Sequence, residues 1–511
     1  MNNTVSSLIA IHDAKTFAIG APDREWMTYG GLRDLSANVK KSLHGFGVGR
    51  GDRVAIVLPN GPEMATAFVT IAQTATTAPL NPAYRQEEYE FYLEDLKAKV
   101  IVVADDYEGP AVLAAEKFGV AVLRLSFNNS DPAGCFTLSA GGKIGDCDNA
   151  IPTEDDVALI LHTSGTTSRP KIVPLLHSNL FASANNVRTS LELTKDDRCL
   201  NVMPMFHIHG LIAAVSGSLA AGGQILCTPG FNALRFFAQL DEARPTWYTA
   251  VPTMHQAILN RSSRNKDIIE RVGLRFLRSS SASLPAPIMN ELIDVFNAPV
   301  IEAYGMTEAA HQMCSNPLPP RAQKPGAVGV AAGPDVGTAS ETSDVLLMAG
   351  QTGEIVINGP NVTPGYEGNP KANEDNFFMA DGKRWFRTGD QGAFDDEGYL
   401  RLTGRLKEII NRGGEKISPL EVDAVLLGHP EIAQIVCFGV LHPKLGEDIA
   451  AAVVLTEGSQ LNEKDIRAFA AEHIANFKVP RSIMILEEIP KGPTGKIQRI
   501  GMAEKLGMTH E

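Results

Sequence analysis

The chain is 511 residues long, beyond the length at which one hydrophobic core keeps growing, so two or more domains are expected. Its apolar content of 44% and charged content of 21% are those of an ordinary globular protein and exclude a disordered or coiled-coil chain. The formal charge of −13, with no cluster of Lys and Arg, argues against nucleic acid as a partner.

The N-terminus and the cysteines bear on location. The first residues lack a basic stretch followed by a long apolar core, and no window approaches ~18 consecutive apolar residues. Secretion and a membrane span are therefore not expected. The six cysteines lie far apart without a C-x-x-C pair, which favours neither a disulfide framework nor a zinc site. We expect a cytoplasmic protein that is a monomer or a homodimer.

The first third of the chain alternates strand and helix patterns. Apolar runs at 53–58, 77–80, 100–104 and 120–125 predict parallel strands, with a helical pattern between the first two. A continuous apolar run at 157–161 predicts a strand that is buried on both faces. The sequence thus predicts an α/β fold built on parallel sheets.

A hydroxyl-rich stretch, Thr163 to Lys171, follows this buried strand. Ligands collect at the carboxyl ends of strands in open α/β sheets, and hydroxyls, a glycine and a lysine suit the phosphates of ATP. The Walker spacing is absent, and a polar surface turn is the alternative. A strand at 172–175 and a helix beginning near Ser178 come next, so this loop is expected to join two strands and not to open a helix.

Two histidines, His207 and His209, stand at alternate positions in the middle of the chain. No acidic or cysteine residue lies near them in sequence, which favours a pocket wall over a metal site. Further strands are predicted at 247–252 and 274–277. The second strand runs into the serine-rich segment 278–283, which by itself is typical of a solvated loop.

The segment from Val300 to Glu308 places a strand before an aromatic, a glycine, a hydroxyl and a carboxylate. Tyr304 offers a ring on which an adenine can stack, Thr307 can donate to a phosphate, and Glu308 can provide an oxygen ligand for Mg²⁺. In the alternative interpretation Glu308 simply begins a helix, where the dipole favours a carboxylate.

The last part of the chain predicts smaller units. Residues 353–402 are rich in Gly, Asp and short β-like runs and predict a small barrel or antiparallel sheet. Glycines then mark a boundary, and Ser418-Pro419 predicts the start of a helix in a compact C-terminal unit. The segment 490–497 predicts a mobile loop with Lys496 at its tip, for which a solvated surface charge is the alternative.

Taken in order, five segments resemble the adenylate-forming superfamily of acyl-CoA synthetases, luciferases and peptide-synthetase adenylation domains. They are Thr163–Lys171, Tyr304–Glu308, Thr388–Asp390, Gly404–Lys407 and Pro490–Lys496. The resemblance covers essentially the whole chain and implies a large N-terminal domain, 1–403, of parallel β-sheets flanked by helices with a small β-barrel-like subdomain. It further implies a hinge at 404–408 and a small mobile α+β C-terminal domain at 409–511.

The resemblance also implies a reaction in two halves. A carboxylate attacks the α-phosphate of ATP to give an acyl-AMP and pyrophosphate, and the thiolate of coenzyme A then displaces AMP. The protein must hold two anions in line and screen their charge. ATP, Mg²⁺ and coenzyme A are the expected cofactor and co-substrates.

Residue by residue, the resemblance implies an ATP site. The β- and γ-phosphates would lie against Thr163, Ser164, Gly165, Thr166, Thr167 and Lys171, and the adenine would be bordered by Ser281, Ala282, Ser283, Glu302, Ala303 and Tyr304. Thr307 would contact the α-phosphate, and Glu308 would bind Mg²⁺. Asp390, assisted by Arg405, would accept from the ribose hydroxyls.

The resemblance assigns the second domain its own residues. Lys496 would bridge the carboxylate and the α-phosphate in the first half-reaction. Lys407 would be the pivot about which the C-terminal domain swings between the half-reactions. Gly413, Gly414 and Glu415 would meet the pantetheine arm of coenzyme A, since glycines let a backbone approach a thin ligand closely.

Within the superfamily three phrases look most like oxalyl-CoA synthetases. They are Leu161–Lys171, Trp247–Gln256 and Asn411–Pro419. A hydroxyl at Ser280 would suit a polar acid, and His207 with His311 would bind the distal carboxylate of a dianion such as oxalate. A helix histidine already satisfied by its neighbours is the alternative for His311.

Several alternatives remain open at this level. Malonate is the first alternative acid, and an aromatic or medium-chain acid is the second. A luciferase-like oxygenase would share the adenylation step. A non-catalytic nucleotide-binding or nucleic-acid-associated protein is disfavoured by Lys496, by Glu308 and by the acidic balance.

Overall fold

The structure is a computed structural model and describes residues 3–163, 170–491 and 497–508. Strands and helices are numbered along the chain. No helix in the described ranges combines the length and apolarity needed to cross a membrane.

One large sheet of the N-terminal part has seven strands. They are β3 (Arg53–Val57), β4 (Thr76–Pro79), β5 (Val100–Ala104), β6 (Ala121–Ser126), β7 (Thr137–Ser139), β8 (Val157–Thr163) and β9 (Lys171–Leu176). Their order is β7-β6-β5-β3-β4-β8-β9, with parallel pairs inside and antiparallel β7 and β9 at the edges. The centre of β8 is fully buried, as its unbroken apolar run predicts.

A second large sheet has nine strands. They are β1 (Phe17–Gly20), β2 (Met27–Thr28), β10 (Arg198–Asn201), β11 (Gln224–Cys227), β12 (Trp247–Ala250), β13 (Phe276–Ser279), β14 (Val300–Met306), β15 (His311–Ser315) and β16 (Val330–Ala331). Five consecutive pairs from β1 to β14 are parallel, and β15 and β16 extend the sheet antiparallel beyond β14. The predicted parallel α/β architecture is confirmed.

Helices flank these sheets. They are α1 (Ser7–Ala10), α2 (Tyr29–Phe46), α3 (Pro62–Ile71), α4 (Gln86–Leu96), α5 (Pro110–Phe118), α6 (His177–Ser190), α7 (Gly217–Ala220), α8 (Phe236–Ala243), α9 (Pro252–Ser262), α10 (Lys266–Val272) and α11 (Ala286–Phe296). A further helix, α12 (Pro370–Asn376), contacts the smaller antiparallel sheet described next. A π-helix, His209–Ser216, precedes α7. The long α2 shows the local signals well, since the Thr28 side chain accepts from Gly31 N at its start and Gly47 ends it with φ +85°.

Two smaller sheets follow. The first comprises β17 (Asp335–Ala339), β18 (Gly353–Asn358), β19 (Phe377–Ala380), β20 (Lys383–Phe394) and β21 (Leu400–Arg405), all paired antiparallel. The C-terminal sheet comprises β22 (Ile410–Arg412), β23 (Glu415–Ile417), β24 (Ile432–His442), β25 (Gly446–Leu455) and β26 (Ser482–Ile485), with helices α13 (Pro419–Leu426), α14 (Glu463–His473) and α15 (Met502–Lys505). The change of sheet between Arg405 and Ile410 falls at the predicted hinge.

A loop ties the two large sheets together where their strands end. Thr363 N donates to the Glu308 carbonyl beyond β14 at 2.8 Å, and Thr363 Oγ1 donates to the Pro174 carbonyl in β9 at 2.7 Å. Thr363 is buried, so these bonds are sheltered from water. The end of β14 is thereby held beside the β8–β9 hairpin, which brings Thr163 and Lys171, the two described residues at the ends of the predicted phosphate loop, to the same edge as Glu308.

Candidate active site

Tyr304 and Asp390, predicted for the adenine and the ribose, meet in the structure. The Tyr304 hydroxyl donates to Asp390 Oδ2, although the two residues are 86 positions apart. Asp390 lies opposite Arg405 in the β20–β21 pair, and Arg405 Nε is 3.4 Å from Asp390 Oδ1. Burial raises the pKa of Asp390, while Arg405 and the Tyr304 hydroxyl oppose that rise. A partly buried carboxylate with one cation and one donor is well placed to accept from further hydroxyls.

Glu308 lies on a single 3-10 turn, Thr307–Ala309, directly after β14. Its side chain is buried, and Oε1 accepts a hydrogen bond of 2.7 Å from the Tyr366 hydroxyl. The ammonium nitrogen of Lys171 lies 4.3 Å from the centre of the same ring. Burial raises the pKa of Glu308, and the Tyr366 hydroxyl and Lys171 counteract it. Glu308 therefore lies on a short 3-10 turn and does not begin an α-helix, and its carboxylate has the Tyr366 hydroxyl as a donor and is attracted by Lys171.

The hairpin after Tyr304 explains the glycine beside it. A Cβ atom on Gly305 would lie 1.6 Å from the carbonyl oxygen of His311 on the paired strand, so only glycine fits. His311 itself has φ +100°, and Ala310 before it has φ +46°. This sharp return brings Glu308 and His311 to the same end of β14.

These residues fit ATP with Mg²⁺. Mg²⁺ prefers hard oxygen ligands, usually one or two carboxylates together with phosphate oxygens, and Glu308 presents a fixed carboxylate beside the half-buried Thr307. Lys171 would supply a cation for phosphate oxygens. When bound, the metal neutralises phosphate charge; the chain's own residues hold and orient the nucleotide.

The predicted phosphate loop joins two strands, as expected. Thr163 ends β8 and Lys171 begins β9, and the two are register partners in an antiparallel pair. Lys171 N donates to Thr163 Oγ1 at 3.4 Å. The other predicted phosphate contacts, Ser164, Gly165, Thr166 and Thr167, lie outside the described residues, so their role stays a prediction.

The segment predicted to border the adenine is fastened along β14. Ser280 Oγ donates to the Ala303 carbonyl at 2.9 Å, and Leu284 N donates to Glu302 Oε1 at 2.9 Å. Ser280 is fully buried and its hydroxyl proton is used by the strand, and its predicted contact with the acid stays a prediction. Ala282 and Ser283, between these anchors, are exposed.

Glu302 is the most perturbed carboxylate of this segment. Its residue exposure is 1%, and burial raises its pKa to about 8, opposed by the bond from Leu284 N. Oε2 has no hydrogen-bond partner among the described residues. A neutral, protonated Glu302 is therefore favoured near neutral pH.

A buried polar cluster lies beside this segment. Arg278 Nη2 donates to His311 Nε2 at 2.9 Å, and its Nη1 is 3.4 Å from His209 Nε2 and 3.4 Å from Thr249 Oγ1. The two imidazoles stack with ring centres 5.2 Å apart. His209 Nδ1 lies 3.0 Å from Ser281 Oγ, which connects the cluster to the predicted adenine border.

The hydrogen bonds of Arg278 fix the character of this cluster. A guanidinium has only donors, so the nitrogen of His311 that faces it accepts, and that imidazole is neutral. The positive charge of this pair therefore belongs to Arg278, and the predicted contact of His311 with the acid stays a prediction. Burial lowers the pKa of Arg278 to about 10, which leaves it charged at neutral pH.

His207, the other histidine predicted for the acid, lies two residues before His209. Its ring is half-buried and packs on Phe206 with ring centres 4.5 Å apart. Besides His311, the histidine that contacts Arg278 is His209, which the sequence interpretation treated only as a wall residue.

The C-terminal residues have local explanations as well. Gly413 and Gly414 form the turn between β22 and β23 with φ +61° and +96°, values that favour glycine. Their predicted contact with coenzyme A, like that of Glu415, stays a prediction. Lys407 lies between the last strand of one sheet and the first of the next, and Lys496 lies outside the described residues.

Sequence reasoning did not identify Arg278 or Tyr366 as candidate site residues, and it gave His209 only a place in a pocket wall. A charged residue at the end of an apolar run was the only signal for Arg278, and the serine run that follows hid it. Tyr366 is an aromatic in a Pro- and Gly-rich loop, a signal that does not single it out. Each was hard to find because its partners come from distant parts of the chain.

Comparisons with known proteins agree with this geometry. The AMP-binding enzyme family matches residues 9–367, and the AMP-binding enzyme C-terminal domain matches residues 421–496. The chain is 43% identical to an oxalate–CoA ligase of Arabidopsis thaliana over 98% of both chains. It is 41% identical to an oxalate–CoA ligase of Saccharomyces cerevisiae over 93% of this chain and 90% of that one.

Solved structures agree too. The crystal structure of ATP-bound MatB from Rhodopseudomonas palustris superposes with a TM-score of 0.88 at 28% identity, covering 99% of each chain. The chain belongs to the AMP-binding enzyme family, as an AMP-forming acid–CoA ligase that uses ATP, Mg²⁺ and coenzyme A.

Proposed function

We propose that the acid activated by this ligase is a small dicarboxylate, with oxalate preferred and malonate as the first alternative. The observation that carries the proposal is the buried guanidinium of Arg278. Its residue exposure is 0%, and its partners in the described residues are imidazole, hydroxyl and amide groups, with no carboxylate among them. A buried charge without a counter-ion is costly, so a bound anion would relieve this site.

The location of Arg278 supports a role for the distal carboxylate. The cluster is one hydrogen bond, from His209 to Ser281, away from the predicted adenine border. An acid whose far carboxylate meets Arg278 could therefore direct its other carboxylate toward the nucleotide, and such alignment is the main contribution expected from the protein. The acid would contact Arg278, His311 and His209, with His207 nearby in sequence.

The polar character of the cluster weighs against the other acids. A medium-chain or aromatic acid needs apolar pocket walls, whereas this site presents a cation and two imidazoles. The oxalate–CoA ligases of Arabidopsis and yeast, similar over nearly the whole chain, support oxalate within the dicarboxylates.

The two half-reactions are proposed to use the remaining predicted residues. Glu308 with Mg²⁺, Thr307 and Lys496 would serve adenylation. The C-terminal domain, 409–511, would then pivot at Lys407 within the hinge 404–408 and present Gly413 to Glu415 for thioester formation.

One substrate panel tests the acid. Carboxylate-dependent AMP formation is measured with and without coenzyme A for oxalate, malonate, acetate, octanoate and 4-coumarate. We expect the highest kcat/KM with oxalate and a CoA-dependent thioester product. Turnover of a longer acid with none for oxalate would overturn the proposal. Adenylation without thioester formation would favour the oxygenase class.

A variant of Arg278 tests the observation itself. Arg278→Met should lower kcat/KM for oxalate at least about 30-fold, since an unmatched buried charge costs about 2 kcal/mol or more. The KM for ATP should change far less. Arg264→Met, which removes an exposed arginine of the same domain, is the matched control. An equal loss for oxalate and acetate would assign Arg278 to stability alone.

A further inference from the structure

The described residues on either side of the predicted Lys496 loop pair with each other. Lys491 and Ile497 form an antiparallel bridge, so residues 492–496 lie between two paired positions. Ile489 before the bridge and Met502 after it are fully buried in one small core. Arg499 follows Lys496 by three positions and Ile497 by two.

Arg499 is held from two directions. Its Nη2 donates to Asp423 Oδ2 at the start of the C-terminal domain, and its Nη1 lies 3.6 Å from Glu408 Oε2 in the hinge segment. The side chains of Arg499, Asp423 and Glu408 are 18%, 10% and 12% exposed, so water screens these ion pairs little. Asp423 is itself fixed, because its Oδ1 accepts from Cys437 N in β24 at 2.6 Å.

Glu408, the hinge residue that pairs with Arg499, is itself linked to the predicted nucleotide site. Glu408 N donates to the Arg405 carbonyl at 2.8 Å, and the Glu408 carboxylate attracts the Arg405 guanidinium. Arg405 in turn pairs with Asp390. Charges of alternating sign thus run from Asp390 through Arg405, Glu408 and Arg499 to Asp423, across the predicted pivot.

We propose that Arg499 is a positioning residue for adenylation, which holds the stem of the Lys496 segment against the hinge through Glu408 and against the domain core through Asp423. The proposal rests on the proposed role of Lys496. Arg499 itself touches no substrate; it fixes where the segment leaves the domain. Since a misplacement of about 1 Å can cost on the order of 100-fold in rate, such an anchor matters for a catalytic lysine on a loop.

The predicted coenzyme A turn is anchored independently. Gly413 N donates to the Leu445 carbonyl at 2.7 Å, and Arg412 Nε is 2.7 Å from Asp448 Oδ1. Asn411 N donates to Glu447 Oε2 at 2.7 Å. Loss of the Arg499 contacts should therefore affect adenylation more than thioester formation.

The test separates the two half-reactions. Carboxylate-dependent ATP–pyrophosphate exchange reports adenylation, and coenzyme A consumption with supplied acyl-AMP reports the second step. Arg499→Gln should lower the exchange rate about tenfold or more while the second step stays near wild type. Arg499→Lys, which keeps the charge but loses the two-armed fork, should recover part of the exchange. Arg467→Gln, an exposed arginine on α14, is the matched control.

Glu408→Gln guards against misfolding, because it leaves the buried Arg499–Asp423 pair intact. It should shift the ratio of the two rates in the same direction with an unchanged melting temperature. If Arg499→Gln does not fold, the Glu408 variant decides alone. The proposal would be overturned if Glu408→Gln had the wild-type ratio of exchange rate to coenzyme A consumption rate. It would also be overturned if a folded Arg499→Gln lost both activities equally. The ratio is measured with whichever acid the panel selects, so failure of oxalate leaves this test intact.

Discussion

Replacing Glu302 with glutamine should make the N-terminal domain more stable at alkaline pH. Burial raises the pKa of this carboxyl from its ordinary 4.5 to about 8. Between these values the folded chain keeps a proton that the unfolded chain has lost, so the free energy of unfolding falls as pH rises through the window. The glutamine side chain would carry no charge, and its amide oxygen could still accept from Leu284 N.

The size of the effect follows from the same two values. At ~1.4 kcal/mol per tenfold change, the interval from 4.5 to about 8 sets an upper limit of about 5 kcal/mol, reached above pH 8. Between pH 6 and pH 9 the free energy of unfolding attributable to Glu302 should fall by about 3 kcal/mol. Below pH 4.5 Glu302 is protonated in both the folded and the unfolded chain, so it does not lower the free energy of unfolding.

Urea unfolding followed by tryptophan fluorescence measures this. The three tryptophans, Trp26, Trp247 and Trp385, all lie in the predicted domain 1–403, so the signal reports that domain. The free energy of unfolding of Glu302→Gln should exceed that of the wild type by an amount that increases from pH 6 to pH 9. Glu94→Gln, which removes an exposed carboxylate from α4, is the control and should show no growth. If the difference in free energy of unfolding between Glu302→Gln and wild type stayed constant over this pH range, the inference that Glu302 is protonated in the folded protein would be refuted.

Two further changes probe the nucleotide site. Tyr366→Phe removes the donor to Glu308 while keeping the ring beside Lys171. The kcat/KM for MgATP should fall about tenfold. The loss should be greatest at low pH, because without this donor the pKa of Glu308 rises further. A loss that does not diminish with rising pH would contradict this assignment. Lys496→Ala should lower acyl-AMP formation ~10²–10³-fold, by analogy with the loss of one transition-state donor, and spare thioester formation from supplied acyl-AMP. Equal losses in both assays would contradict the two-step division.

Local patterns predicted the framework of the site because they depend on near neighbours. The apolar run before Thr163 could only be a strand buried on both faces, and it is β8. The following loop could be seen to join two strands because an apolar run, not a helical pattern, resumed after Lys171. The Pro419 helix start was equally local, as Ser418 Oγ accepts from Glu421 N there.

The end of β13 shows where local reasoning fails. The predicted strand ended at Leu277, because Arg278 and the serines are typical of a solvated loop. In the structure β13 continues through Ser279, and Arg278 is fully buried. Its partners His209 and His311 lie 69 and 33 positions away, so no window of sequence contains the groups that make the burial tolerable.

The arginines of this chain divide by their partners, and the division bears on function. Arg387 is largely buried, yet Glu354 and Asp344 lie 2.7 and 2.9 Å from it, so its charge is matched within the fold. Arg278 is more deeply buried and has no carboxylate partner among the described residues. A chain with a net charge of −13 cannot attract an anion through its overall field, so a local unmatched cation must do so. Arg387 then stabilises the small antiparallel sheet, whereas Arg278 leaves an unmatched charge, the one for which we propose an anionic substrate as the partner.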